Sequence, residues 1–236
     1  MDNLAVNSTT DGERNITFKV EGREDGMGYL SPVNTTADMG IVLIQEWWGM
    51  NKNMTNLADK FAAEGYRVIT PDIYRGKVAK SREQAGHLMT GLDFEGAVKD
   101  ILGAGLYLRS LGCTKVGATG FCMGGALVLA TLSKDSQGVF TAGVPFYGIP
   151  DQSYFPVDSV KVPVLAQFGE NDQLKGFSDV EAARNLETRA KNAGVNLTLH
   201  IWENANHAFM NVDSPNYNET VAKKALAETL EFFRNN

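Results

Sequence analysis

Only two of the 236 residues are cysteines, Cys113 and Cys122. Two thiols so placed make neither a disulfide framework nor a metal cluster, and they suit a reducing compartment. Histidine is equally scarce: His87, His200 and His207 are the only three. No apolar run approaches the roughly 20 residues that span a bilayer. Met1–Asp11 is polar and carries no apolar signal core. Cationic excess is also missing. A net charge of −6 and a pI near 5.1 argue against nucleic acid or an anionic membrane as partner. The expectation is a cytoplasmic protein, working as a monomer on a small molecule, with no metal and no organic cofactor. The sequons Asn34-Thr35-Thr36 and Asn196-Leu197-Thr198 then read as accidents of an Asn-rich composition.

The sequence has no internal repeat, no linker and no low-complexity stretch. Its hydrophobic share of 43% suits one α/β domain with a full core. Residues 1–14 read as a flexible N-terminus and 15–236 as the domain. Asn15–Val20 alternates apolar and polar residues, and Gly26–Val33 returns as its partner in an edge hairpin. The continuous apolar run Gly40–Gln45 marks a strand covered on both faces. Strands follow at Tyr66–Thr70, Thr114–Thr119, Val139–Val144, Val162–Phe168 and Asn196–Trp202. Helices fall at Asn53–Glu64, Ser81–Thr90, Asp93–Leu111, 126–132, Ser178–Ala193 and Asn218–Phe233, with Ser81 and Asp93 as caps. Such alternation predicts a mostly parallel sheet with helices on both faces.

The chemistry centres on Gly120-Phe121-Cys122-Met123-Gly124-Gly125. A short buried strand precedes it and an apolar helix follows. This is the cysteine version of the nucleophile elbow, in which a tight strand-to-helix turn presents one reactive side chain. The turn strains the nucleophile's backbone, and glycines beside it avoid clashes. The helix N-terminus favours a thiolate and an oxyanion. A thiol nucleophile needs a base, and the base needs an orienting acid. His87 lies within a predicted helix and His200 within the last strand. His207 lies in the loop after that strand, at the sheet edge where Cys122 sits. Asp172 follows another strand, with Glu170 as competitor in the same turn. Nucleophile, acid, histidine is the chain order of the α/β-hydrolase fold. The oxyanion hole would use the N–H groups of Met123 and of Trp47, which follows the Gly40–Gln45 strand.

Together with Gln45-Glu46-Trp47-Trp48-Gly49, Pro71-Asp72-Ile73-Tyr74, Gly169-Glu170-Asn171-Asp172 and Asn206-His207-Ala208-Phe209, the elbow resembles the dienelactone hydrolase (carboxymethylenebutenolidase) family. The resemblance runs from about residue 15 onward. It implies an α/β-hydrolase fold and a triad of Cys122, His207 and Asp172. It also implies that Glu46 contacts the resting thiol and helps to generate the thiolate. The family holds its substrate's carboxylate with two arginines. Arg82 matches the first, but Asn211 stands where the second would fall, and Gly86 replaces an expected tyrosine. Trp47, Trp48, Phe146 and Tyr147 are expected as apolar walls. The function expected is ester or lactone hydrolysis through a thioester on Cys122. An esterase or thioesterase acting on other acyl compounds, a non-catalytic binding protein of the same fold and a thiol redox protein are the rivals.

Overall fold

The computed structural model describes residues 11–32 and 37–236. Its strands are β1 (Ile16–Phe18), β2 (Gly26–Leu30), β3 (Met39–Ile44), β4 (Arg67–Pro71), β5 (Lys115–Phe121), β6 (Ala142–Phe146), β7 (Val164–Gly169) and β8 (Leu197–Trp202). Its α-helices are α1 (Lys52–Ala63), α2 (Arg82–Thr90), α3 (Phe94–Ser110), α4 (Met123–Lys134), α5 (Val180–Asn192) and α6 (Glu219–Asn235). One sheet holds all eight strands in the order β1-β2-β4-β3-β5-β6-β7-β8. The β1–β2 and β2–β4 pairs are antiparallel, and every other pair is parallel. This is the expected mostly parallel sheet with an N-terminal edge hairpin. Val33, expected to end that hairpin, lies outside the described residues, as do 1–10 and the Asn34 sequon.

Local chemistry explains the element boundaries. Asn51, Ser81, Asp93 and Asn218 each cap a helix by accepting a main-chain N–H through the side chain. Ile41–Ile44 of β3 are fully buried, as their unbroken apolar run requires. Met123–Leu132 of α4 are buried all round, which is why that helix is apolar on every face. Strand β6 begins later than its apolar pattern suggests. The Asp135 carboxylate accepts the N–H groups of Val139 and Phe140, so these residues are held before the strand starts. The strand then runs on through Pro145, which lies opposite Gly120 of β5.

Residues 11–14 differ from the loose end expected of them. The Gly12 N–H donates to the Met50 carbonyl at 3.0 Å. The Arg14 guanidinium meets the fully buried Asp72 carboxylate at 2.6 Å. Asp72 also accepts the N–H groups of Tyr74 and Gly76, so one carboxylate closes the turn after β4 and pins the chain start to it. No helix among the described residues is long and apolar enough to cross a membrane. Removing Asp72 would leave a mostly buried guanidinium unpaired, at about 3–5 kcal/mol. Asp72→Ala is therefore expected to lower Tm by roughly 10 °C, at about 2–4 °C per kcal/mol for a chain of this size. Thermal unfolding followed by circular dichroism checks this, and an unchanged Tm would contradict it.

Candidate active site

Strand β5 ends at the elbow, and Cys122 sits there at φ 55° and ψ −115°. A non-glycine residue holds such a conformation at a cost of about 1–3 kcal/mol. The surrounding main chain enforces it. A Cβ on Gly124 would stand 2.5 Å from the Ile44 carbonyl oxygen, and one on Gly125 2.2 Å from that of Phe146. A Cβ on Gly148 would lie 2.0 Å from the Cys122 carbonyl oxygen. The ends of β3 and β6 thus press directly against the first turn of α4. The Cys122 N–H donates to Phe146 O at 3.1 Å, and Ala126 N–H donates to Cys122 O at 3.1 Å.

The thiol itself is buried. Burial pushes its pKa well up, and the neighbouring Glu46 charge pushes the same way. The Met123 N–H at the helix start opposes them, and Asp172 adds to the rise. The pull of the helix terminus toward a thiolate is thus outweighed. One N–H does not offset desolvation and two carboxylates, so the surroundings favour the protonated sulfur.

Glu46 follows β3 and is 4% exposed. Its Oε1 accepts from the Tyr147 hydroxyl at 3.4 Å, and its Oε2 from the Asn211 amide at 2.5 Å. Burial raises its pKa, against the pull of His207 and of these two donors. Tyr147 stays a neutral phenol, since burial, the Glu46 charge and the Cys122 sulfur all raise its pKa.

Asp172 and His207 meet as expected, Oδ2 to Nδ1, at 2.7 Å. Asp172 is buried, and its Oδ1 accepts the Leu174 N–H. Glu170 turns away and accepts the Asn204 N–H instead. The other histidines stand elsewhere. His87 is exposed on α2 beside Glu83. His200 on β8 stacks on Trp202 and pairs with Glu228. The sequence reading missed Ser178, which is fully buried with its hydroxyl 3.1 Å from His207 Nδ1. No spacing rule points to it, because its contact spans a loop and a helix start.

Glu46, Trp47, Trp48, Arg82, Cys122, His207 and Asn211 all line one cavity of about 390 Å³, together with Met89, Leu174, Phe177 and Asp213. Phe146 and Tyr147 do not, which corrects their expected role as walls. Phe146 is fully buried and stacks on Phe121 at 4.8 Å. Tyr147 lies behind the site, its ring edge-on to His207 at 5.0 Å and its hydroxyl on Glu46. Both stand at the end of β6, but their rings lie in the core. The Trp47 N–H has no acceptor among the described residues. Among those residues no group of three or more His, Cys, Asp and Glu side chains could hold a metal ion.

Residues 28–236 match the model of the dienelactone hydrolase family. The chain is 31% identical over 214 residues to a carboxymethylenebutenolidase of Pseudomonas putida, covering 86% of this chain and 87% of that one. It is 32% identical over 206 residues to the protein usf of Aquifex pyrophilus, covering 83% and 87%. A solved dienelactone hydrolase-like promiscuous phosphotriesterase from metagenomic libraries superposes with a TM-score of 0.75 at 19% identity, covering 94% of this chain and 98% of that one. That last likeness speaks for the fold alone.

The charge balance at Cys122 can be tested directly. Removing a neighbouring anion lowers a thiol's pKa by about 1 unit or more. Glu46→Gln should therefore speed iodoacetamide labelling of resting Cys122 at pH 8 by about tenfold. Labelling that is unchanged or slower would contradict this balance.

Proposed function

The chain belongs to the dienelactone hydrolase family, and we propose that this ester or lactone hydrolase works through a thioester on Cys122. One observation supports this reading above the others. The strained elbow thiol, Glu46 and His207 line one cavity, and the buried Asp172 carboxylate holds His207 from outside that lining.

The resting thiol is neutral, so it must lose its proton before it can attack. Glu46 takes that proton once substrate has entered. The thiolate adds to the carbonyl carbon, and the N–H groups of Met123 and Trp47 hold the oxyanion. The C–O bond breaks, and the leaving oxygen receives a proton relayed from Glu46 through His207. Asp172 holds Nδ1 of His207, leaving Nε2 for the chemistry. A water then gives its proton to His207 and attacks the thioester. The C–S bond breaks, His207 returns the proton to sulfur, and the acid departs.

The cavity also informs the substrate. Trp47, Trp48, Met89, Leu174, Phe177 and Pro215 give it apolar walls. Among the described residues Arg82 is the only lysine or arginine that lines it, and Asp213 lines it as well. Asn211 stands where the family pattern places a second arginine, and its amide N–H is engaged by Glu46. An apolar ester or lactone with at most one carboxylate fits these walls better than a dianion. The absence of a cation at 211 equally favours a second reading, an esterase for neutral acyl compounds.

Steady-state assays on dienelactone and on neutral p-nitrophenyl esters separate the two. Cys122→Ala should lower kcat by about 10⁴-fold or more on either substrate while keeping the fold. Arg82→Ala should raise KM for the lactone by about tenfold and leave the neutral ester unchanged. Retained turnover in Cys122→Ala would remove the thioester. No lactone turnover beside rapid neutral-ester turnover would select the second reading.

A further inference from the structure

Asn211 donates its amide N–H to a base, and its own amide oxygen is doubly held. Asn53 Nδ2, in the first turn of α1, donates to Asn211 Oδ1 at 2.9 Å. The Asp213 N–H donates to the same oxygen at 2.9 Å. Two donors on one atom identify it as the oxygen, so the Asn211 nitrogen must face Glu46. There it meets Oε2 at 2.5 Å. The chain Asn53, Asn211, Glu46 crosses from α1 to the loop after β8 and back to the loop after β3. Asn211 is buried, and Asn53 lies outside the cavity lining.

We propose that Asn211, gripped by Asn53, is a positioning residue that holds the Glu46 carboxylate beside Cys122 with a neutral donor. The proposal rests on the reading that Glu46 takes the thiol proton. A neutral donor fixes the carboxylate's orientation without the strong pull of a cation, so Glu46 keeps the proton affinity its task requires. The remaining groups around Glu46 leave this donor a decisive place. Tyr147, from the end of β6, gives the second and longer hydrogen bond. His207 and Asp213, from the loop after β8, act through charge and in opposite directions. Cys122 lies at the elbow, and Arg82 of α2 shares the cavity.

Loss of the grip should raise Glu46's affinity for a proton. The anion beside Cys122 is then lost at a higher pH than in the wild type, and below that pH the thiol reacts more readily. The probe is iodoacetamide, with rates measured from pH 6 to 9 by intact mass and the label located at Cys122 by peptide mass. Asn211→Leu should label about tenfold faster at pH 7, the effect of one lost hydrogen bond to a charged group. Asn53→Ala touches neither the cavity nor Glu46, and should shift the rate the same way by about twofold to fivefold. In a Glu46→Gln background Asn53→Ala should change nothing, because the group it acts through has lost its charge.

An Asn53→Ala enzyme that labels at the wild-type rate at every pH, with intact circular dichroism, would overturn the proposal. So would an Asn53→Ala effect that persists unchanged in Glu46→Gln. Failure of the underlying reading looks different: Glu46→Gln would be acylated by p-nitrophenyl acetate at or above the wild-type rate, where the base role requires a slower one. That result would remove the base role on which the proposal rests.

Discussion

Everything at this site depends on how closely the elbow approaches the end of β6. Gly125 and Gly148 let the main chains of Cys122, Ala126 and Phe146 meet where any Cβ would intrude. That contact sets the strained φ of Cys122 and seats it above the core. It also turns Phe146 and Tyr147 inward, so that Tyr147 supports Glu46 and His207 from behind. The strain is stored locally and offset by the buried sheet and α4 around it. A looser turn would relax Cys122 and lose the alignment of sulfur, carboxylate and imidazole.

The same closeness produces the charge logic. A thiol, two carboxylates, an imidazole and a phenol share a small buried volume. In such surroundings desolvation outweighs one helix-terminal N–H. The thiol therefore rests protonated, which shields it from oxidation, since the thiolate is the reactive form. On the proposed mechanism, activation is a proton transfer rather than a standing property of the sulfur. The neutral grip of Asn53 on Asn211 belongs to this logic, because it holds the base without neutralising it.

Much of this was legible in the sequence. The apolar runs at Gly40–Gln45 and 126–132 gave the covered strand and the buried helix, since full burial leaves no polar face to encode. The elbow glycines, Asp172 and His207 were legible because each follows its own strand, and parallel strands deliver their ends to one edge. The resting state of Cys122 was not, because it depends on how much water and which charges surround the sulfur after folding. Side-chain direction was equally hidden at Phe146 and Tyr147, both of which are fully buried, Tyr147 at a φ of 36°. Ser178 and Asn53 act across long sequence separations on partners that no local pattern names. Residues 11–14 read as loose from composition, but the Arg14–Asp72 pair ties them down.

The central claim is that the acyl group passes through Cys122 and is released by His207. Trapping it is the most direct measurement. His207→Ala, incubated with p-nitrophenyl acetate and digested, should yield an acetylated peptide containing Cys122. Neutral hydroxylamine should remove the group, as it does from thioesters. An acetyl group on any other residue, or no acyl-enzyme from a variant that still releases p-nitrophenolate, would contradict the account.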